Sequence, residues 1–161
     1  MPTKIKEVQP PRGLNRILYR LPILLYRLRL GWLLGDRFLL LIHTGRVSGA
    51  PRQTVLEIIR HDKKGDAYVV VSAWGEKSDW YRNIKKTPQV IVQVGRKRVE
   101  AVAERLSQED AEREILDYAR RYPRLLRALA RLMGYQLEDS EQDYRALARL
   151  VPVVAFRPKR T

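Results

Sequence analysis

The spacing of apolar residues divides the chain into an N-terminal segment with a helical period and a longer segment with mixed periods. From 12 to 28, leucines and an isoleucine lie on one side of a helical projection, and four arginines lie within an arc of about 80° on the other. Pro22 is expected to kink this helix and Gly31 to break it. The pattern predicts a basic amphipathic helix in an N-terminal region, 1–34, ahead of one folded domain, 35–161.

The middle of the chain has the pattern of short strands joined by tight turns. Some runs are continuously apolar and β-branched, whereas others alternate between apolar and polar residues, and both patterns are typical of strands. Gly95-Arg96 predicts a two-residue hairpin turn with glycine at its first central position. The predicted strands are 38–44, 53–61, 67–73, 89–94, 98–106 and, after the helices described next, 151–156.

Three helices are predicted between the last two strands. Ser107 with Asp110 and Ser140 with Asp143 have the spacing of helix N-terminal caps, and Gly134 ends a second helix that spans 124–133. Hairpin-connected strands combined with helices in this order favour an α+β fold with an antiparallel sheet or barrel over a doubly wound fold.

The charge of the chain indicates an anionic partner. Lys and Arg number 32 against 18 Asp and Glu, which gives a net charge of +14. Composition alone does not choose between nucleic acid, an anionic membrane surface and a charged small molecule. No recognised nucleic-acid-binding motif is present, so nucleic acid is not expected as the partner.

Cysteine and histidine content limits the chemistry that the chain can perform. There is no cysteine and there are two histidines, so thiolate metal sites, iron–sulfur clusters and cysteine nucleophiles are excluded, and no metal site is expected. No apolar stretch is long enough to span a bilayer or to read as a signal peptide. We therefore expect a cytoplasmic protein, with the basic N-terminal helix able to lie on the inner face of the cell membrane.

A loop between the first two predicted strands carries the first candidate site. Residues 43–52 combine glycines that expose backbone amides with hydroxyls and guanidiniums, all of which are donors to anions. The loop is neither a Walker A motif nor a dinucleotide fingerprint, because a strand rather than a helix follows it. The alternative is an ordinary hairpin loop with solvated arginines. A lone histidine such as His43 in an apolar strand is more typical of a structural role.

A second candidate site, 72–83, follows the third predicted strand. Ser78 is expected to cap a short helix whose N-terminal amides would attract an anion. Trp74, Trp80 and Tyr81 could supply flat surfaces for an aromatic ligand, or they could simply be core aromatics.

These segments together resemble a known family. TGRVSGAPRQTVLEI, VVVSAWGEKSDWYRNIKKTPQVIVQVG and PVVAF resemble the deazaflavin-dependent nitroreductase/quinone reductase family over about 38–157. The resemblance implies a split β-barrel like that of FMN-binding oxidoreductases, with an antiparallel sheet and flanking helices. It also implies coenzyme F-420 as cofactor and hydride transfer to a quinone, nitroaromatic or similar electron-poor acceptor. The alternatives are an FMN-dependent reductase on the same barrel and a non-catalytic cofactor- or lipid-binding barrel.

The resemblance also implies roles for single residues. Tyr122 matches a tyrosine near the acceptor pocket and is the predicted catalytic donor, Trp80 matches an aromatic wall, and Val47 stands where the family loop commonly has lysine. Related split barrels often pair, so a homodimer is expected. The predicted cofactor-binding residues are Gly45, Arg46, Ser48, Gly49, Arg52, Thr54, Val55, Leu56, Ser72, Ala73, Trp74, Gly75, Trp80, Tyr81 and Asn83.

Overall fold

The computed structural model describes residues 2–4 and 36–159. The N-terminal helix predicted within 1–34 lies outside the described residues. Within them the helices are α1 (Asp79–Lys86), α2 (Gln108–Arg121), α3 (Pro123–Leu132) and α4 (Glu141–Leu150), with a 3₁₀ turn at Gly75–Lys77. The strands are β1 (Thr3–Lys4), β2 (Phe38–Thr44), β3 (Pro51–Glu57), β4 (Arg60–Asp62), β5 (Ala67–Val71), β6 (Gln89–Val94), β7 (Lys97–Arg105), β8 (Tyr135–Gln136) and β9 (Val153–Pro158).

Most of these strands form one curled antiparallel sheet. Across the described residues its order is β3-β2-β6-β7-β9-β5-β4, and every neighbouring pair is antiparallel. The predicted turn joins β6 to β7, where Gly95 has a φ of +57° that favours glycine. The α+β prediction with an antiparallel sheet is confirmed.

Two apolar cores lie on opposite faces of β5 and β9. Val69 and Val153 face the helical-layer core, which α2, α3 and α4 complete, whereas Val70 and Val154 face the barrel core inside the curled sheet. Because alternate residues of a strand face opposite sides, a strand with a core on each side is buried along its length, as β5 is. This explains why its sequence, AYVVV, is continuously apolar.

The predicted strand 53–61 is wrong in its extent. The structure breaks it at Ile58 and Ile59 into β3 and β4. At the break the chain changes partner: the Ile58 amide donates to the Arg37 carbonyl at 2.8 Å and the Ile59 amide to the Val69 carbonyl at 2.9 Å. Both residues are apolar, so periodicity carried no signal for this exchange of partners.

The C-terminal helices begin where the capping patterns place them. The Ser107 hydroxyl accepts from the Asp110 amide at 3.2 Å, and the Ser140 hydroxyl accepts from the Asp143 amide at 3.1 Å. The two-residue ladder between β1 and β8 was not predicted, since two residues are too few for a periodic pattern. None of the helices that the structure describes combines the length and the apolar character needed to cross a bilayer.

Candidate functional site

Backbone amides of the loop between β2 and β3 donate hydrogen bonds to acceptors within the loop itself. The Gly45 amide donates to the Ala50 carbonyl at 2.8 Å, the Gly49 amide to the Gly45 carbonyl at 2.9 Å, and the Ala50 amide to the Ser48 hydroxyl at 3.1 Å. A Cβ at Gly45 would lie 2.9 Å from the Ser48 hydroxyl, so the turn is built around glycine. The expectation that these glycines expose amides to an anion is therefore wrong for Gly45 and Gly49. The amides of Gly45, Gly49 and Ala50 are therefore engaged within the turn, which leaves the side-chain donors of the loop as candidates for anion recognition.

Asn83 joins this loop to α1. Its side-chain oxygen accepts from the Arg46 amide at 3.0 Å and from the Arg46 guanidinium at 2.9 Å. The same guanidinium contacts the Asp79 carboxylate at 3.2 Å, and the Lys86 ammonium donates to the Arg46 carbonyl at 2.8 Å. We call His43, Arg46, Asp79, Asn83 and Lys86 the polar junction. It fixes the loop against α1, so Arg46 and Asn83 already have partners within the protein.

His43 is the buried member of the polar junction. It is 5% exposed, and its Nδ1 lies 2.9 Å from the side-chain nitrogen of Asn83. Burial lowers the pKa of His43 to about 4, opposed by the nearby Asp79 carboxylate and assisted by the Arg52 guanidinium. The imidazole is therefore neutral at physiological pH.

Unlike Arg46, Arg52 has a guanidinium that is not paired with another described side chain. It is exposed at the start of β3, and among the described residues it makes no hydrogen bond or ion pair. Its Nε lies 3.5 Å from the position of a Cβ at Gly45, which places it beside the loop. Of the two predicted anion-binding arginines, Arg52 is thus the one whose donors are available.

The strand β3 runs from the cationic loop to Glu57. Thr54, Val55 and Leu56 lie half-buried between Arg52 and Glu57, a span of about 17 Å at 3.4 Å per residue.

At the far end of β3, the Tyr118 hydroxyl donates to Glu57 at 3.2 Å, and the Tyr118 and Tyr122 rings are 5.6 Å apart. Burial, with the nearby Glu57 carboxylate, raises the pKa of Tyr118 to about 12. Tyr122 is 47% exposed, with the Arg121 guanidinium 5.5 Å from its ring centroid. The cationic loop and the Tyr118–Tyr122 pair therefore lie at opposite ends of β3.

The turn after β5 is held by two buried hydroxyls. The Ser72 hydroxyl lies 2.6 Å from the Gly75 carbonyl oxygen and 2.9 Å from the Ser78 hydroxyl. Since it has one proton, Ser72 donates to the carbonyl and accepts from Ser78. Ser78 occupies the N-cap position of α1 but makes no side-chain capping bond, so the predicted cap is wrong. The Ser78 hydroxyl donates to Ser72 instead of capping the helix. Gly75 reverses the chain direction with a φ of +65°.

The aromatic residues of this segment have different environments. Trp80 is 6% exposed and packs in the barrel core, 6.3 Å from Phe156 between ring centroids. Tyr81 is also buried there, and its hydroxyl accepts from Arg105, which in turn binds Glu76 at 2.7 Å. Trp74 is half-buried beside Gly75 and has the more accessible ring. The ligand-binding roles of these aromatics stay predictions.

A separate cavity of about 210 Å³ lies between α2 and the β4–β5–β9 edge of the sheet. Its walls are charged and include the Arg60–Glu114 pair, in which Nε and the carboxylate are 2.8 Å apart. None of the predicted cofactor-binding residues lines it. The predicted residues instead gather around the loop, β3 and the turn after β5. Sequence reasoning assigned no partner to Asp79, Lys86, Glu57 or Arg105, because the charge of a side chain does not specify the partner that it will meet.

Comparisons with known proteins identify a family and curated relatives to which this chain is similar. A family model described as F420H(2)-dependent quinone reductase matches residues 28–140. An F420H(2)-dependent quinone reductase of Mycobacterium tuberculosis (strain ATCC 25618 / H37Rv) is 38% identical over 85 residues, which cover 50% of this chain and 52% of that protein. The chain thus spans about half the length of the curated relatives that it matches.

Solved structures with the same fold include an F420-H2 dependent reductase, FDR-A. It is 25% identical, with a TM-score of 0.52 over 76% of this chain and 96% of that one. Another, described as a domain-swapped dimer, is 24% identical with a TM-score of 0.53 over 76% of this chain and 81% of that one. The split barrel predicted from the sequence is confirmed by these likenesses and by the curled antiparallel sheet.

Proposed function

The chain belongs to the F420H(2)-dependent quinone reductase family, and from this premise we propose that it transfers a hydride from reduced coenzyme F-420 to a quinone, a nitroaromatic or a similar electron-poor acceptor. The family match carries the proposal, since it includes the loop, β3, the turn after β5, α1 and Tyr122. FMN on the same barrel is the alternative cofactor, and no observation on the described residues favours it.

The donors of the site fit a coenzyme with a flat ring and an anionic tail. Arg52 supplies a cation without a partner among the described side chains, and β3 supplies half-buried residues beside it. When bound, the deazaflavin supplies the hydride, so the protein has to bind, orient and exclude water. Arg52 would hold the tail, Thr54 and Leu56 would contact the ring, and the Tyr122 hydroxyl would donate to the charge that develops on the acceptor.

Titration of the purified protein with oxidised coenzyme F-420, and separately with FMN, followed by fluorescence, tests this function. We expect saturable binding of F-420 and weaker binding of FMN. Arg52→Ala should weaken F-420 binding, with a loss that diminishes as salt rises because screening weakens the ion pair. Arg96→Ala is the matched control, since it removes an equally exposed cation from the β6–β7 turn. No response to F-420, or equal losses in the two variants, would contradict the proposal.

We also propose that the basic region 1–34 lies on an anionic membrane surface. The net charge of +14 supports it. We expect the full chain to float with anionic but not with neutral vesicles, and deletion of 1–34 to abolish flotation. Flotation of the truncated chain would show that the N-terminal assignment is wrong.

A homodimer is a further proposal. A solved structure of the same fold is described as a domain-swapped dimer, and this supports pairing of the present chain. Light scattering coupled to size-exclusion chromatography should give twice the 18.9 kDa mass of the chain. A monomer mass at micromolar concentration would contradict it.

A further inference from the structure

Two side chains with donors that have no partner among the described residues occupy opposed positions on β2 and β3. His43 and Arg52 are in register as a cross-strand pair, and side chains at such positions project to the same face of the sheet about 5 Å apart. In the part of the chain that the structure describes, neither the Arg52 guanidinium nor the His43 Nε2 takes part in a hydrogen bond. The Nδ1 atom of His43, by contrast, is held by Asn83.

The polar junction determines which nitrogen of His43 carries the proton. The Asn83 side-chain oxygen accepts two hydrogen bonds from Arg46, which fixes the orientation of the amide and leaves its nitrogen to face His43. An amide nitrogen only donates, so the His43 Nδ1 must accept. A neutral imidazole with an accepting Nδ1 carries its proton on Nε2. His43 is therefore an oriented Nε2–H donor beside Arg52.

We propose that His43 is a ligand-binding residue whose Nε2–H, together with Arg52, recognises an anionic oxygen of the bound coenzyme. This rests on the proposed function for the identity of the ligand. The Arg52 guanidinium attracts an anion from any direction. The neutral Nε2–H of His43 adds a hydrogen bond that is favourable in one direction only, and it therefore fixes where the anionic oxygen lies. The polar junction then has a second role, because Asn83 orients the donor while it holds the loop.

Two replacements of His43 separate ligand binding from structural support. In asparagine the side-chain oxygen takes the place of Nδ1, so His43→Asn keeps an acceptor for Asn83 and loses the Nε2–H donor. In glutamine the amide nitrogen takes the place of Nε2, so His43→Gln keeps a donor at that position and loses the acceptor for Asn83. Fluorescence titration with oxidised coenzyme F-420 and thermal unfolding of the ligand-free chain are measured on both variants and on the wild type.

We expect the two variants to rank in opposite order in the two measurements. His43→Asn should bind F-420 about 10- to 100-fold more weakly than the wild type, the loss typical of a hydrogen bond to a charged group. His43→Gln should bind within a few-fold of the wild type, yet unfold about 2–4 °C below His43→Asn. A ¹⁵N NMR spectrum of the imidazole in the ligand-free protein should show a protonated Nε2 and an unprotonated Nδ1.

The outcomes that overturn the inference differ from those that overturn the function. If the wild type binds F-420 and His43→Asn binds equally well, His43 has no part in recognition, although the proposed function stands. If affinity follows stability in both variants, His43 is structural only. A protonated Nδ1 would show that His43 does not carry its proton on Nε2, and the inference would then be wrong. Failure of the wild type itself to bind F-420 would overturn the proposed function and this inference with it.

Discussion

The helical-layer core and the polar junction solve the same problem, holding one element against another, by opposite means. In the helical-layer core, buried side chains such as Leu126 and Leu147 attach α3 and α4 by apolar contact. In the polar junction, Asn83 attaches the loop to α1 through three hydrogen bonds to Arg46 and His43. Apolar contact is strong but tolerates many arrangements, whereas hydrogen bonds are individually weaker and fix orientation. The candidate site lies at the junction, where orientation matters most.

The largest effect is expected in the helical-layer core. Leu147 is fully buried, so Leu147→Ala should lower the free energy of unfolding by about 3–5 kcal/mol through lost burial and the cavity left behind. Chemical denaturation measures this, and coenzyme affinity of the folded fraction should not change. Leu150→Ala on the exposed side of the same helix should cost under about 1 kcal/mol. A change in coenzyme affinity in Leu147→Ala would show that the two regions are coupled.

A smaller effect is expected when the pH is lowered: protonation of His43 in the polar junction should reduce the free energy of unfolding by about 3 kcal/mol. The folded pKa of His43, about 4, lies below its unfolded value of 6.5, so the unfolded state binds the proton more readily. The stability that comes from keeping His43 neutral is fully present above pH 6.5. It is lost as the pH falls from 6.5 to 4, and below pH 4 it changes no further. Denaturation at several pH values measures this loss.

Two variants check the assignment of this acid sensitivity. His43→Asn removes the titrating group, so the loss between pH 6.5 and 4 should shrink. Asn83→Asp places a carboxylate against the imidazole, which favours the charged form and should also shrink the loss. An unchanged pH dependence in both variants would show that the acid sensitivity arises elsewhere.

The same contrast explains what the sequence could predict. The helices and most strands followed from apolar periodicity and serine caps, because these signals are local and match the packing that they direct. The polar junction could not be predicted in this way. It joins residues that are distant in the sequence, such as His43 and Asn83, and periodicity does not specify which of them will be partners.

Ser78 shows the limit of a local signal. Its position before a short helix predicted a cap, but the buried Ser72 hydroxyl offers an alternative partner that is present only when β5 and α1 come together. The family resemblance carries long-range information that spacing lacks, so it grouped the loop, β3 and the turn after β5 into one candidate site, and this grouping stays a prediction. Within that grouping, the resemblance did not distinguish the free Arg52 from the paired Arg46.

The smallest effect on stability, accompanied by a modest effect on coenzyme affinity, is expected from replacing Asp79. Its carboxylate is 76% exposed and shares the Arg46 guanidinium with Asn83. Asp79→Asn should lower the free energy of unfolding by less than about 1 kcal/mol, since exposed ion pairs and first-turn acids each contribute little. Removing a negative charge beside the loop should nevertheless raise affinity for a polyanionic coenzyme by about fivefold or less at low salt, and the gain should vanish at high salt. Glu109→Gln, an exposed first-turn acid of α2, is the matched control and should leave affinity unchanged. Weaker binding in Asp79→Asn would mean that the carboxylate helps to hold Arg46 in place, so that the junction orients its cation through the ion pair as well as through Asn83.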